Sequence, residues 1–162
     1  MLEILRSHQL YAKVSKCTFM AEEVEYLGHI VSKDGIQVDP AKVKCIREWP
    51  QPQNITQLGG FLSLASFYKR FIKHFSRRAA PLTDLLKKDA FKWSEEAQLS
   101  FEDLKNALSI APMLACSDFT MPFIVETDAS GKGLGAVLRQ EHGVIAFESR
   151  KFDAKEMNPH CP

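Results

Sequence analysis

Phe123-Ile124-Val125-Glu126-Thr127-Asp128-Ala129-Ser130, followed by Gly131-Lys132-Gly133-Leu134-Gly135-Ala136-Val137-Leu138, is the stretch whose reading decides the fold. An apolar run of strand character ends on one carboxylate, and a glycine-rich turn leads into a second apolar run. Glycines at that position permit a tight strand-to-strand turn and let a ligand approach the backbone closely. Gly131-x-Gly133-x-x-Ala136 also matches the dinucleotide-binding pattern on paper, but that pattern needs a helix after the glycines to hold the pyrophosphate. Residues 137–144 reach the His142-Gly143 turn too soon and read as strand, so the nucleotide reading is rejected.

Working outward, residues 123–126, 134–139 and 144–147 read as strands, the last two joined as a hairpin through His142-Gly143. Before them, Ser94-Glu95-Glu96 is a helix start: a serine cap, then two acids at the positive end of the dipole. Phe101, Leu104 and Leu108 line the buried side of that helix, and Pro112 marks its end. Asn54 caps a long helix whose stripe of Leu58, Phe61, Leu62, Ala65, Tyr68, Ile72 and Phe75 keeps helical spacing. Lys69, Arg70, Lys73 and His74 cluster toward its C-terminal end, and Pro81 opens a further short helix. Gly59-Gly60 weakens the long helix by roughly 1 kcal/mol per glycine relative to alanine. Asp39-Pro40 starts another helix, which Trp49-Pro50-Gln51-Pro52 ends. Upstream, residues 1–13 form a short amphipathic helix, and residues 17–20, 24–31 and 36–38 read as strands with a turn at Lys33-Asp34-Gly35. The class is therefore α+β: a small hairpin, a helical middle, and an α-to-β unit at the C-terminal end, with candidate boundaries at 49–53 and 89–93.

The 162 residues, 45% hydrophobic and 25% charged, suit one soluble domain or two small ones. No apolar run approaches the roughly 20 residues that span a bilayer, and the charged N-terminus is no signal peptide, so no membrane partner is expected. Cys17, Cys45, Cys116 and Cys161 lie far apart without ligand spacing, which points to free thiols rather than a disulfide framework or zinc site. The net charge of +1 conceals an asymmetry: residues 1–41 carry −2, residues 42–92 carry +8 and residues 93–162 carry −5. A basic middle between acidic ends is either a surface that meets phosphates or a solvated helical face, and charge alone weighs the two equally.

Two-metal phosphodiester chemistry needs several carboxylates around cations about 3.5–4 Å apart. Asp128 supplies one; Glu126 shares its strand face if the strand is regular, and Glu148 on the return strand is a spatial candidate. Asp-Ala-Ser-Gly is also good turn chemistry, and the residues alone equally fit a turn acid that satisfies backbone N–H groups at the strand end. Ser130 has no His and acid pair, and His8, His29, His74, His142 and His160 are scattered, so nucleophilic catalysis finds no support. Lys69-Arg70 with Phe67, Tyr68 and Phe71 reads as a basic, aromatic nucleic-acid contact, or as a core edge with only its cations outside; helical phase favours the core for Tyr68.

Together these motifs resemble the reverse transcriptase region of Ty3/gypsy-type long-terminal-repeat retrotransposon Pol polyproteins and related retroviruses. Lys16-Cys17-x-Phe19, Tyr26-Leu27-Gly28-His29-Ile30-Val31-Ser32 and Asp34-Gly35-Ile36 resemble the end of the polymerase palm. Asp39-Pro40-x-Lys42-Val43, Trp49-Pro50-x-Pro52 and Phe67-Tyr68-Lys69-Arg70-Phe71-Ile72 are similar to the thumb. Phe91-x-Trp93-Ser94, Thr127-Asp128-Ala129-Ser130 and Gly135-Ala136-Val137-Leu138-x-Gln140 are similar to the opening of an RNase H-like domain.

The resemblance implies three parts: residues 1–38 as the palm end, 39–90 as helical thumb or connection, and 91–162 as the N-terminal, incomplete part of an RNase H-like domain. It implies that Asp128 is a catalytic, metal-binding carboxylate, that Tyr26, Leu27, Gly28 and His29 form a primer-grip hairpin, and that Lys69, Arg70 and Lys73 meet phosphates. The implied partners are an RNA–DNA hybrid or primer–template and the remainder of the Pol polyprotein. The implied cofactor is Mg²⁺ in the intact parent, and the implied setting is a cytoplasmic virus-like particle or the nucleus. The sequence also departs from the family: it has no Asp-Asp pair, it ends 34 residues after Asp128, Gly60 and Ser63 stand where Ser and Gly are usual, and Pro159 replaces a tyrosine. The expectation is a fragment of a reverse transcriptase/RNase H polyprotein that alone polymerises nothing and cuts nothing. The alternative is a non-catalytic nucleic-acid-binding or host-adopted interaction module, carried by the basic middle.

Overall fold

The computed structural model describes residues 2–130 and 133–152. A short helix, α1 (Leu2–Ser7), and a 3₁₀ turn (Val14–Lys16) precede a meander of β1 (Glu23–Tyr26), β2 (His29–Ser32) and β3 (Gly35–Val38). Four helices follow, α2 (Pro40–Arg47), α3 (Ile55–Phe67), α4 (Phe75–Asp84) and α5 (Glu95–Ser109), and then a second meander of β4 (Ile124–Ser130), β5 (Gly133–Gln140) and β6 (Gly143–Lys151). Both sheets are antiparallel, in the orders β1-β2-β3 and β4-β5-β6, and the α+β class expected from sequence is the class observed.

The helices begin where their caps dictate. Asp39 accepts from the Ala41 amide at 2.8 Å with Pro40 in the first turn, and Asn54 accepts from the Gln57 amide at 2.9 Å. Ser94 accepts from the Ala97 amide at 3.2 Å, and Glu95 and Glu96 complement the positive helix end. The core sits among these helices: Ile46 of α2, Leu58, Phe61, Leu62 and Ala65 of α3, and Phe101, Leu104 and Leu108 of α5 are all buried. Phe61 and Phe101 meet at 4.6 Å between ring centroids, and Trp93 stands edge-on to Phe101 at 5.8 Å.

Three readings of the sequence are corrected. Residues 17–20 form no strand, and Phe19 and Met20 are exposed. The stretch 24–31 is not one strand but the arms of β1 and β2, folded back at Leu27-Gly28. The long helix from Asn54 does not reach Phe75. It stops at Phe67, passes through a 3₁₀ turn (Lys69–Phe71), and restarts at Phe75 after His74 takes a left-handed conformation with φ 58°. Tyr68, Phe71, Ile72 and Phe75 are nonetheless all buried, so the apolar spacing survives a break in the backbone. Pro81 accordingly lies inside α4 rather than at a helix start.

Sheet β4-β5-β6 lies against the helical layer through β6. Ser76 and Ser149 exchange hydrogen bonds, the Ser76 amide donating to Ser149 Oγ at 2.9 Å and Ser76 Oγ to the Ser149 carbonyl at 2.7 Å. Lys151 reaches Asp84 at 3.3 Å, and Lys87 first and Lys151 with it hold the Asp84 carboxyl below its usual range. The loop leading to β4 is pinned by buried Gln140, whose amide donates to the carbonyls of Asp118 (2.7 Å) and Met121 (3.0 Å) while its oxygen accepts from the Asp118 amide (3.0 Å). Between the two sheets, Ile36 of β3 bridges to Leu114 with amides and carbonyls pairing at 2.7 and 2.8 Å, and the next amide, Ala115, donates to the Val144 carbonyl of β6 at 2.7 Å.

Because α3 and α5 meet at Phe61 and Phe101, Phe101→Ala is expected to cost about 3–5 kcal/mol in urea denaturation. A loss below about 1 kcal/mol would show that this contact does not anchor the helical core.

Candidate nucleic-acid interface

The β1–β2 hairpin turns in two residues. Tyr26 pairs with His29, and Leu27 and Gly28 both have positive φ, 49° and 75°, the signature of a type I′ turn. Gly28 accepts that geometry freely, whereas Leu27 is held in a region non-glycine residues seldom enter. The tip presents Tyr26 (65% exposed) and Leu27 (71% exposed) to solvent.

Behind the tip lies an aromatic cage. The His29 ring sits 5.3 Å from Phe67, 5.4 Å from Tyr68 and 5.6 Å from Phe71. Its Nδ1 lies 3.0 Å from the Leu27 carbonyl, which can only accept, so Nδ1 carries the proton and the buried Nε2 is left without a partner. The Tyr68 hydroxyl donates to the Gly28 carbonyl at 2.9 Å, and the Asp39 amide donates to the same oxygen at 3.2 Å. Burial, and then the Asp39 carboxylate, push the Tyr68 phenol above its usual pKa.

Immediately after Tyr68 come the cations. Lys69, Arg70 and Lys73 are exposed, and Arg77 lies on the following helix. Lys69 is committed to Glu148 at 3.0 Å, and Arg78 to Asp103 at 2.6 Å. Among the described residues, Arg70, Lys73 and Arg77 make no ion pair.

The same segment walls a cleft of about 200 Å³ lined by Lys73, His74, Glu126, Asp128, Gly135 and Glu148, among others. Asp128 is opposite Gly135 in the β4–β5 register, and a Cβ on Gly135 would lie 3.2 Å from His74 Nδ1, so the missing side chain makes room for the imidazole. Glu126 and Glu148 do share the cleft with Asp128, as strand geometry suggested. Glu126, however, is tied to Arg139 at 2.7 Å, and Glu148 to Lys69. Among the described residues no three His, Cys, Asp or Glu side chains come together as a metal site. With two of its acids paired and Lys73 and His74 on its wall, this cleft does not by itself fit a divalent cation.

The sequence-derived residues thus fall into neighbouring groups. Tyr26 and Leu27 are outward, Gly28 and His29 are half-buried behind them, and Lys69, Arg70 and Lys73 run from the cage to the Asp128 cleft. Sequence reasoning assigned Tyr68 to the core, which is right for its ring (1% exposed), but missed the reach of its hydroxyl, a contact 40 residues distant. Gly131 and Lys132 of the glycine-rich turn, and Pro159, lie outside the described residues.

Comparison with known proteins connects these features. Residues 93–161 match the model of the RNase H-like domain found in reverse transcriptase. The Pol polyprotein of the Drosophila melanogaster transposon gypsy is 40% identical over 170 residues, covering 97% of this chain. An uncharacterised mitochondrial protein of Arabidopsis thaliana is 45% identical over 125 residues, covering 76% of this chain and 79% of its own length. The chain belongs to the gypsy-type retrotransposon Pol family. It spans 16% of the gypsy polyprotein's length, so it corresponds to one segment of such a Pol protein. Among solved structures, a foamy viral protease-reverse transcriptase in complex with RNA/DNA hybrid matches with a TM-score of 0.80 at 25% identity, over 90% of this chain and 20% of that one. A dRH form in complex with ds DNA matches with a TM-score of 0.83 at 25% identity, over 96% and 28%. In this Pol segment, α5 falls within the RNase H-like match yet its Phe101 packs into the helical core beside α3. No helix among the described residues is long and apolar enough to cross a membrane.

Gly135→Val should drive His74 off the sheet and cost about 1–3 kcal/mol by overpacking, whereas Gly59→Ala, with no heavy atom within 4 Å of the added Cβ, should be neutral or gain up to about 1 kcal/mol. Equal effects in chemical denaturation would mean that the His74–Gly135 contact is not a close one.

Proposed function

We propose that this chain is the nucleic-acid-gripping segment of a retrotransposon reverse transcriptase/RNase H polyprotein, holding an RNA–DNA hybrid or primer–template. One observation carries the reading. The exposed hairpin tip, Tyr26 and Leu27, is joined through the Gly28 carbonyl and the Tyr68 hydroxyl to the segment bearing exposed Arg70 and Lys73, so one hydrogen bond ties an apolar tip to a cationic turn. Exposed aromatic and aliphatic groups suit stacking on sugars and bases, and unpaired cations suit phosphates. The solved relatives in complex with RNA/DNA hybrid and ds DNA support the same partner class.

In this reading residues 1–38 are the palm end with its primer-grip hairpin, 39–90 the thumb or connection, and 91–162 the start of the RNase H-like domain. The parent polyprotein carries out RNA-directed DNA polymerisation and hydrolysis of RNA in hybrids, in a cytoplasmic particle or the nucleus. Because the cleft does not by itself fit a divalent cation, Asp128 would hold Mg²⁺ only together with carboxylates supplied by the remainder of the polyprotein. The ion pairs that occupy Glu126 and Glu148 favour a second reading, a non-catalytic nucleic-acid-binding module. Both readings require the same surface. They part on whether the chain, joined to the remaining polyprotein, cleaves hybrid RNA in a manner that Asp128→Asn abolishes.

Arg70→Glu with Lys73→Glu should weaken binding of a short RNA–DNA hybrid at least tenfold and flatten the slope of log K against log salt by about one per lost phosphate contact. Lys69→Glu should act chiefly by breaking the pair with Glu148. Unchanged affinity and slope in the double variant would remove the basic turn from the interface.

A further inference from the structure

Tyr68 is fully buried, stands at the junction of α3 and the 3₁₀ turn, and donates its one hydroxyl to the Gly28 carbonyl in the β1–β2 turn, 40 residues away. We infer that Tyr68 is a positioning residue for nucleic-acid binding: its hydroxyl fixes the β1–β2 tip in register with the cationic turn that follows it in sequence. This rests on the proposed interface and adds to it the element that sets its geometry.

Four features carry the inference. The Gly28 carbonyl accepts from both Tyr68 and the Asp39 amide, so one oxygen ties the hairpin tip to the end of α3 and to the cap of α2. The approach is close: a Cβ on Gly28 would lie 2.8 Å from the Tyr68 hydroxyl. The tip is held in an uncommon conformation, with φ 49° at Leu27, and His29 Nδ1 braces the Leu27 carbonyl from the same cage. Finally, Tyr68 immediately precedes Lys69 and Arg70, so its side chain faces the hairpin while the backbone that follows carries the cations outward. A purely apolar contact needs only the ring. The hydroxyl adds direction, because a hydrogen bond fixes the donor–acceptor line where packing alone tolerates sliding.

The test is Tyr68→Phe, which keeps the ring, measured by fluorescence anisotropy with a short RNA–DNA hybrid across a salt series, alongside backbone ¹⁵N relaxation of Leu27 and Gly28. The expected result is hybrid binding weakened about 3–10-fold, the range of one lost hydrogen bond, with the salt slope of the wild type and greater mobility at Leu27 and Gly28. Gly28→Ala disturbs the same contact from the other side and guards against a variant that fails to fold. Its effect should be smaller in the Tyr68→Phe background, where the clashing oxygen is gone. Wild-type affinity in Tyr68→Phe, while Tyr26→Ala and Arg70→Glu weaken binding, overturns the positioning role and leaves the interface standing. A flattened salt slope in Tyr68→Phe also overturns it, because the residue would then act on the phosphate contacts. If Tyr26→Ala and Arg70→Glu are themselves without effect, the interface falls and the inference with it.

Discussion

One backbone oxygen, the Gly28 carbonyl, receives the Tyr68 hydroxyl and the Asp39 amide, and the arrangement of the N-terminal half follows from satisfying it. A partly buried carbonyl beside an aromatic cage is costly if unpaired, so the donors must come to it. Asp39 is already fixed as the cap of α2. Tyr68 reaches the carbonyl from the C-terminal end of α3, where the chain leaves the α-helix. The hairpin tip is thereby held by two helices at once, and Tyr26 and Leu27 project from a fixed base rather than from a free loop.

The break after Tyr68 has a second consequence. Residues 69–74 do not continue a helix with cations at its negative end. They cross from the hairpin to the second sheet, where Lys69 pairs with Glu148 and His74 covers Gly135. Some of the basic character is therefore spent internally, with Lys69 and Arg78 holding carboxylates, while Arg70, Lys73 and Arg77 are unpaired among the described residues. Exposed ion pairs contribute little individually, about 0–1 kcal/mol each, so their role here is better described as setting register between helix and sheet. They also leave Asp128 as the open carboxylate of its cleft, between a tied Glu126 and a tied Glu148.

What was legible in the sequence, and what was not, follows from the range of the interactions. The caps at Asp39, Asn54 and Ser94 act within a few residues and were readable, as were the second meander, the glycine turn at Gly35 and the buried faces of α3 and α5. The helix break was not, because Tyr68, Ile72 and Phe75 keep helical spacing and are all buried even though the backbone between them is not helical. The I′ turn was hidden because Leu27 is a poor residue for positive φ, and what holds it there comes from Tyr68 and His29 in the folded state. The proximity of Glu126 and Glu148 to Asp128 was foreseeable from strand pairing. The pairing of those acids with Arg139 and Lys69 was only partly so, because Lys69 lies 79 residues from Glu148.

In the proposed interface the hairpin tip and the cationic turn form one nucleic-acid-facing surface. Hydrogen–deuterium exchange of the whole chain, with and without a saturating RNA–DNA hybrid, tests this most directly. Slowed exchange in both residues 26–29 and 69–74, developing over the same range of hybrid concentration, is the predicted result. Protection of only one of the two segments, or of neither while the hybrid is bound, would contradict it.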